Sequence, residues 1–183
     1  CHADGVFHKH GLTTNQISKI LPNIIEAVHF CHKMNIPIIA TMLTVSVDTN
    51  GEAFGMESFK ESRPFLAKEG FREGSWGYDL LAELPAVDFK IRKWGFSSFY
   101  QTELARSLEA LGCQELILTG FTTNGAVETA AREAIGRNYK INTLTNCVAS
   151  YSEALHQASL TNLAAFGQIL TTEEWKNVYT KSV

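Results

Sequence analysis

At 183 residues the chain is sized for a single domain over residues 1–183, large enough to bury one core without disulfide or metal staples. Its 45% hydrophobic and 19% charged residues suit a globular protein, and a net charge of −3 offers no basic face for nucleic acid. No apolar run reaches the roughly 20 residues needed to cross a bilayer, and the opening Cys1-His2-Ala3-Asp4-Gly5 lacks a signal peptide's features, so a cytoplasmic enzyme is the simplest expectation.

In chain order, Leu21, Ile24, Ile25, Val28 and Cys31 recur at helical spacing, with Pro22 where a first turn tolerates it, and predict a helix ending near Asn35. Ile36 to Leu43 reads as a strand covered on both faces. From Thr44 to Gly77 six glycines and prolines punctuate a mixed stretch, expected to be a long irregular excursion with short helical turns. A strand at Val87 to Ile91 and a helix from Gln101 to Leu111 follow. Glu115 to Thr119 is the clearest buried strand, Gly120 to Asn124 the turn after it, and Gly125 to Gly136 a helix rich in small residues. Lys140 to Leu144 and Gly167 to Leu170 read as strands, with helices at Glu153 to Ala164 and Glu173 to Val178. Such alternation predicts an α/β fold of three layers, a parallel sheet with helices on both faces.

Four cysteines, Cys1, Cys31, Cys113 and Cys147, lie far apart and form no C-x-x-C pair, so reduced thiols are expected. Cys31 and Cys113 read as structural, whereas Cys147 falls at a strand end where it could edge a pocket. His8 with His10, and His29 with His32, lack the acids or thiols that would complete a ligand set, so no metal is expected.

Two segments carry the chemistry. Gly120-Phe121-Thr122-Thr123-Asn124-Gly125-Ala126-Val127 resembles the nucleophile turn of isochorismatase-like cysteine hydrolases, G-[VIF]-x-T-x-x-C-V, with alanine at the cysteine position. Lys93-Trp94-Gly95-Phe96-Ser97-Ser98-Phe99-Tyr100-Gln101-Thr102-Glu103-Leu104 is similar to the family's lysine segment, K-x-x-x-S-x-F-x-x-T-x-L, at the family's spacing. The resemblance implies a Rossmann-like, mostly parallel six-stranded sheet of order 3-2-1-4-5-6, no cofactor, and a homo-oligomer. It implies an Asp, Lys and Cys triad that hydrolyses amide or ureido C–N bonds through a thioester. Lys93 is then a catalytic candidate, residue 126 the nucleophile position, and the amides of Thr122 and Ala126 an oxyanion hole, with a cis peptide before Thr122. A thiol at position 126 would gain from the positive end of a helix and from Lys93.

Trp94, Phe96, Phe99 and Tyr100 suggest an aromatic wall around the lysine. Gly74-Ser75-Trp76 with Asp79-Leu80 and Glu83-Leu84 is similar to a segment of ureidoacrylate and biuret-type amidohydrolases, so a small amide or ureido acid is the expected substrate. Trp76, Phe99, Phe121 and Asn124 are the substrate-contact candidates.

Two departures qualify the expected activity. The Ala126 methyl group cannot attack a carbonyl, so thioester chemistry is closed to the chain as written. A Cys→Ala exchange is the leading explanation. Natural loss leaving a binding-only protein, or the cysteine-free branch that cleaves a vinyl ether by acid chemistry, are the alternatives. The family's aspartate, in turn, lies on a central first strand that would precede Cys1, and Asp4 comes too late to replace it, so a further N-terminal segment is expected. Cys1 acting as an N-terminal nucleophile would require a layered antiparallel architecture that this alternation does not match.

Overall fold

The computed structural model describes residues 5–12 and 15–182, so the thiol of Cys1 and the carboxyl of Asp4 lie outside the described residues. The elements run α1 (Val6–Lys9), α2 (Asn15–Lys33), β1 (Ile39–Leu43), α3 (Glu57–Ser62), α4 (Pro64–Lys68), β2 (Phe89–Lys93), α5 (Leu104–Ala110) and β3 (Glu115–Phe121). A π-helical turn (Thr123–Val127) leads directly into α6 (Glu128–Ile135), followed by β4 (Lys140–Ala149), α7 (Glu153–Leu163), β5 (Gln168–Leu170) and α8 (Thr172–Ser182). The pairings among β1 to β5 are all parallel, as the α/β reading requires, and the one antiparallel bridge among the described residues, Val47 with Ala53, lies outside these strands.

Side chains of β4 alternate between its two faces, with the alternation shifted by an irregularity between Thr143 and Val148, and each face meets its own set of helices. Ile141 and Val148 join a core with Leu104 and Leu108 of α5, Ala131 and Ala134 of α6, and Leu163 of α7. Leu144 and Cys147 pack on the other side against Ala27 of α2 and Trp175 of α8. Ala131 and Ala134 of α6 are wholly buried and let that helix lie close to the sheet.

The expected single sheet is resolved among the described residues into two, β1 with β2 and β3–β4–β5. All residues of β1 and all of β3 line one cavity of about 670 Å³, to which β2 contributes only Lys93 and β4 and β5 nothing. Ile17, Ile20, Leu21, Ile24, Ala27 and Val28 of α2 form an apolar wall of the same cavity. The gap falls where the implied strand order sets its central strand. Among the described residues, no helix is long and apolar enough to cross a membrane.

Several boundaries differ from the sequence reading, each for a local reason. The first long helix begins at Asn15, not Leu21, and holds Pro22 in its interior, where the ring leaves the carbonyl four residues earlier without its usual partner. It ends at Lys33, before Asn35, whose φ of 54° is a left-handed helix stop. β1 starts only at Ile39, after Pro37, which has no N–H to give a ladder. β2 lies two residues later than expected, and Gln101 at φ 54° delays α5 to Leu104. β4 is twice the expected length, and α8 runs well past a single turn because Trp175, 2% exposed, anchors it to the core.

The broken ladder predicts uneven amide protection. In native-state hydrogen exchange, the amides of β1 and β3 that point away from β2 and β4 should exchange faster than those of the central strand β4. Uniform protection across all three strands would show that the gap is closed in solution.

Candidate active site

The site is built where β3 ends. Gly120 sits at φ 112°, a conformation that side chains resist, beside an irregularity in the pairing of β3 with β4. The Phe121–Thr122 peptide bond is cis. The chain then enters the π-helical turn, so position 126 lies in the opening turn of a helical segment rather than ahead of it. Among the described residues, no backbone carbonyl accepts the Thr122 N–H. The Thr122 carbonyl accepts both the Gly125 and Val127 amides, at 3.2 Å each, which closes the turn on itself.

Three neighbours fix this turn. The Thr123 side chain is wholly buried, its hydroxyl 2.8 Å from His156 Nδ1 on α7. Ser150, just beyond β4, donates its hydroxyl to Asn124 Oδ1 at 2.5 Å. Gly125 is required by close approach, since a Cβ there would lie 2.5 Å from Thr122 Oγ1 and 3.0 Å from the Phe96 ring.

Lys93, the last residue of β2, is 5% exposed. Its amine donates to the Phe96 carbonyl at 3.2 Å and to Ser98 Oγ at 3.4 Å, and Ser98 in turn donates to Thr41 Oγ1 on β1. Among the described residues no carboxylate lies within ion-pair distance of it. Burial lowers the amine's pKa to about 8, opposed by the charge of Glu133. Glu133 also braces the lysine loop, accepting the Ser97 hydroxyl with both carboxylate oxygens, at 2.7 and 2.8 Å. Ser97 Oγ meanwhile accepts the amides of Phe99 and Tyr100.

Lys93, Phe99, Phe121, Thr122, Asn124 and Ala126 all line the 670 Å³ cavity. Phe99, 5% exposed, is chiefly a core residue. Phe121 stacks edge-on with Tyr151, their ring centroids 4.7 Å apart. Trp76 is not brought to the cavity and stands 65% exposed. The aromatic wall is likewise narrower than expected, because Phe96 and Phe99 line the cavity whereas Trp94 and Tyr100 do not.

Cys147 corrects a sequence expectation. It does not edge the cavity but lies fully buried in β4 against Thr172 Oγ1, with burial pushing its thiol up to about 11. Cys31 does line the cavity, but burial pushes its thiol up to about 11, which disfavours thiolate. Burial also raises Cys113. Among the described residues no three His, Cys, Asp or Glu side chains converge in a way that could hold a metal ion.

Sequence reasoning missed Arg63, Phe59 and Tyr151, which also line the cavity. Phe59 and Arg63 come from the irregular excursion, and no periodicity marked them. Phe59 reaches the site by packing its ring 5.1 Å from that of Phe96.

Comparison with known proteins gives a consistent picture. The Isochorismatase domain family matches residues 2–174. Nicotinamidase 3 of Arabidopsis thaliana is 27% identical over 145 residues, 79% of this chain and 71% of that protein. The ureidoacrylate amidohydrolase RutB of Variovorax paradoxus is 30% identical over 118 residues, which are 62% of this chain but only 47% of the relative's length. An isochorismatase-like hydrolase from Alkaliphilus metalliredigens superposes with a TM-score of 0.80 at 25% identity, covering 96% of this chain and 93% of that one. N-carbamoylsarcosine amidase from Thermoplasma acidophilum shares the fold, with a TM-score of 0.75 at 19% identity over 93% of this chain and 92% of that one.

Two outcomes follow from this geometry. Gly125→Ala should lower stability by about 1–3 kcal/mol in urea unfolding, because both the turn and Phe96 must shift to admit a methyl group. Lys93 loses its proton near pH 8 when folded and near 10.5 when unfolded. The unfolded chain therefore binds more protons between those values, and stability should rise with pH across that window. Lys93→Met should remove this rise, a contribution of about 3 kcal/mol, seen as the difference between the two proteins' unfolding curves from pH 7 to 11.

Proposed function

The chain belongs to the isochorismatase family, and from that premise we propose that it is a hydrolase of C–N bonds in small amides or ureido acids whose nucleophile position, residue 126, is occupied by alanine. The observation that carries the reading is one shared cavity. Lys93 and, from the turn, Thr122, Asn124, Gly125 and Ala126 all line it. Phe96 couples the lysine to the turn, accepting from the Lys93 amine with its carbonyl while its ring closes on Gly125.

With cysteine at position 126, the steps follow from the groups present. An amine titrating near 8 in a water-poor setting takes the thiol proton, and the resulting ammonium stabilises the thiolate. The sulfur attacks the substrate carbonyl, and the negative charge that develops on oxygen is met by the Thr122 and residue-126 amides. Proton return from Lys93 lets ammonia or an amine depart as the C–N bond breaks. Water then hydrolyses the thioester, releasing the acid and restoring the thiol. Ala126 supplies no nucleophile, so in the chain as written these residues bind a substrate without consuming it.

The test is ammonia release from 3-ureidopropionate, N-carbamoyl amino acids and nicotinamide, comparing the chain as written with its Ala126→Cys variant. Turnover should appear only in the cysteine form, with a difference on the order of 10⁶-fold, as for loss of a nucleophile elsewhere. Inactivity of both forms would refute the reading for these substrates. Cleavage of isochorismate with Ala126 in place would replace it with vinyl-ether chemistry.

A further inference from the structure

Resting on the hydrolase reading, we infer that Arg63 is a substrate-binding residue that pairs with a carboxylate on the substrate, so that the site prefers ureido or amide acids over neutral amides. The starting point is a contrast among the arginines. Arg72 gives its guanidinium to the carbonyls of Gly51, Ala67 and Lys68. Arg92 pairs with Glu73, Arg106 with Glu103 and Arg132 with Glu128, while Arg137 donates to the Glu133 carbonyl and lies over the Phe99 ring. Among the described residues, Arg63 is the one arginine whose guanidinium has neither a hydrogen-bond acceptor nor a carboxylate, and it lines the cavity.

Its position is fixed by the backbone. Arg63 is the junction between α3 and α4, held out of the helical region at φ −145° and ψ 70° by the proline that follows it. Its N–H donates to the Phe59 carbonyl at 2.7 Å, and its own carbonyl accepts the Leu66 amide at 3.0 Å. Phe59 on the preceding turn packs on Phe96, above Gly125. Arg63 itself acts electrostatically on Tyr151, whose ring stands on Phe121, the residue before Thr122. Arg63 is thus tied through Phe59 and Phe96 to the part of the cavity that holds Gly125.

Charge balance points the same way. The acidic residues that line the cavity are already engaged, Asp79 with Lys90 at 2.6 Å and Glu115 with Asn142 at the far end of β3. The two cations, Arg63 and Lys93, have no carboxylate in contact among the described residues. A half-buried guanidinium with five unused donors in a planar fork matches a carboxylate in two parallel bonds, which a neutral amide end cannot offer. Lys93 is committed to the reacting end, which leaves Arg63 for the other end of the ligand.

Because Ala126 blocks turnover, the chain as written permits equilibrium titration. Calorimetry with 3-ureidopropionate and with propylurea, its neutral analogue, should show the acid binding at least tenfold more tightly. Arg63→Gln should bring the two to within twofold by weakening the acid alone, and Arg63→Lys should keep part of the preference, with thermal unfolding confirming that both variants fold. Equal binding of the two ureas, a preference that survives Arg63→Gln, or binding of neither would overturn the inference. Failure of the hydrolase reading is seen separately, as absence of ammonia release from either urea by the Ala126→Cys form. Turnover of both ureas without an acid preference would remove Arg63 alone.

Discussion

A primary amine held almost out of contact with solvent governs the arrangement of this molecule. Lys93 has no carboxylate at hand among the described residues, so its donors are met by neutral oxygens, the Phe96 carbonyl and the Ser98 hydroxyl. Both lie on the loop that follows its own strand, and that loop must therefore fold back over it. The fold-back is secured twice, by Ser98 on Thr41 of β1 and by Ser97 on Glu133 of α6. A buried lysine so supported loses proton affinity, and the same enclosure that lowers its pKa makes its charge, when present, act strongly on neighbours. Phe96 is the hinge of this design, since one residue anchors the amine with its carbonyl and covers Gly125 with its ring.

The electrostatics of the cavity extend from that constraint. One side of the Thr122 to Ala126 turn faces the lysine loop, and the other faces Phe121 and Tyr151. Burial pushes the Tyr151 phenol up while Arg63 pulls it partly back, so the ring stays neutral and serves as an apolar post between a cation and the turn. The long excursion between β1 and β2 thereby has a definite use: its short helices carry Phe59 and Arg63 onto the rim, while Arg72 ties three carbonyls of the same excursion together.

How much of this was legible in the sequence depended on whether the information was local. The lysine segment and the turn after β3 are contiguous strings, and they were legible through their resemblance to two motifs of a known family, since pattern alone reads the first as a surface lysine and the second as an ordinary strand-to-helix turn. β3 itself, a run of apolar residues between glycine signals, could be read directly. Element ends were less legible because tertiary contacts set them: Trp175 prolongs α8, and packing overrides Pro22 inside α2. The reach of Arg63, the brace from Glu133 and the retreat of Trp76 from the cavity each join or separate residues dozens of positions apart. Hydropathy periodicity carries no trace of such pairings. Cys147 shows the same limit, since its strand position suggested a pocket edge, yet the length of β4 draws it into the core.

The division of the sheet also has a mechanical side. Strand ladders are stiff because sliding or parting them breaks backbone hydrogen bonds, whereas side-chain contacts yield gradually. Among the described residues no backbone bond joins β1 and β2 to β3, β4 and β5. Lys93 rides on the first body and the Thr122 to Ala126 turn on the second. Side-chain contacts bridge the two, Phe96 against Gly125 and Ser97 against Glu133, and α2 lines the cavity between them. Side chains alone, not a continuous ladder, thus set Lys93 in register with the turn that follows β3.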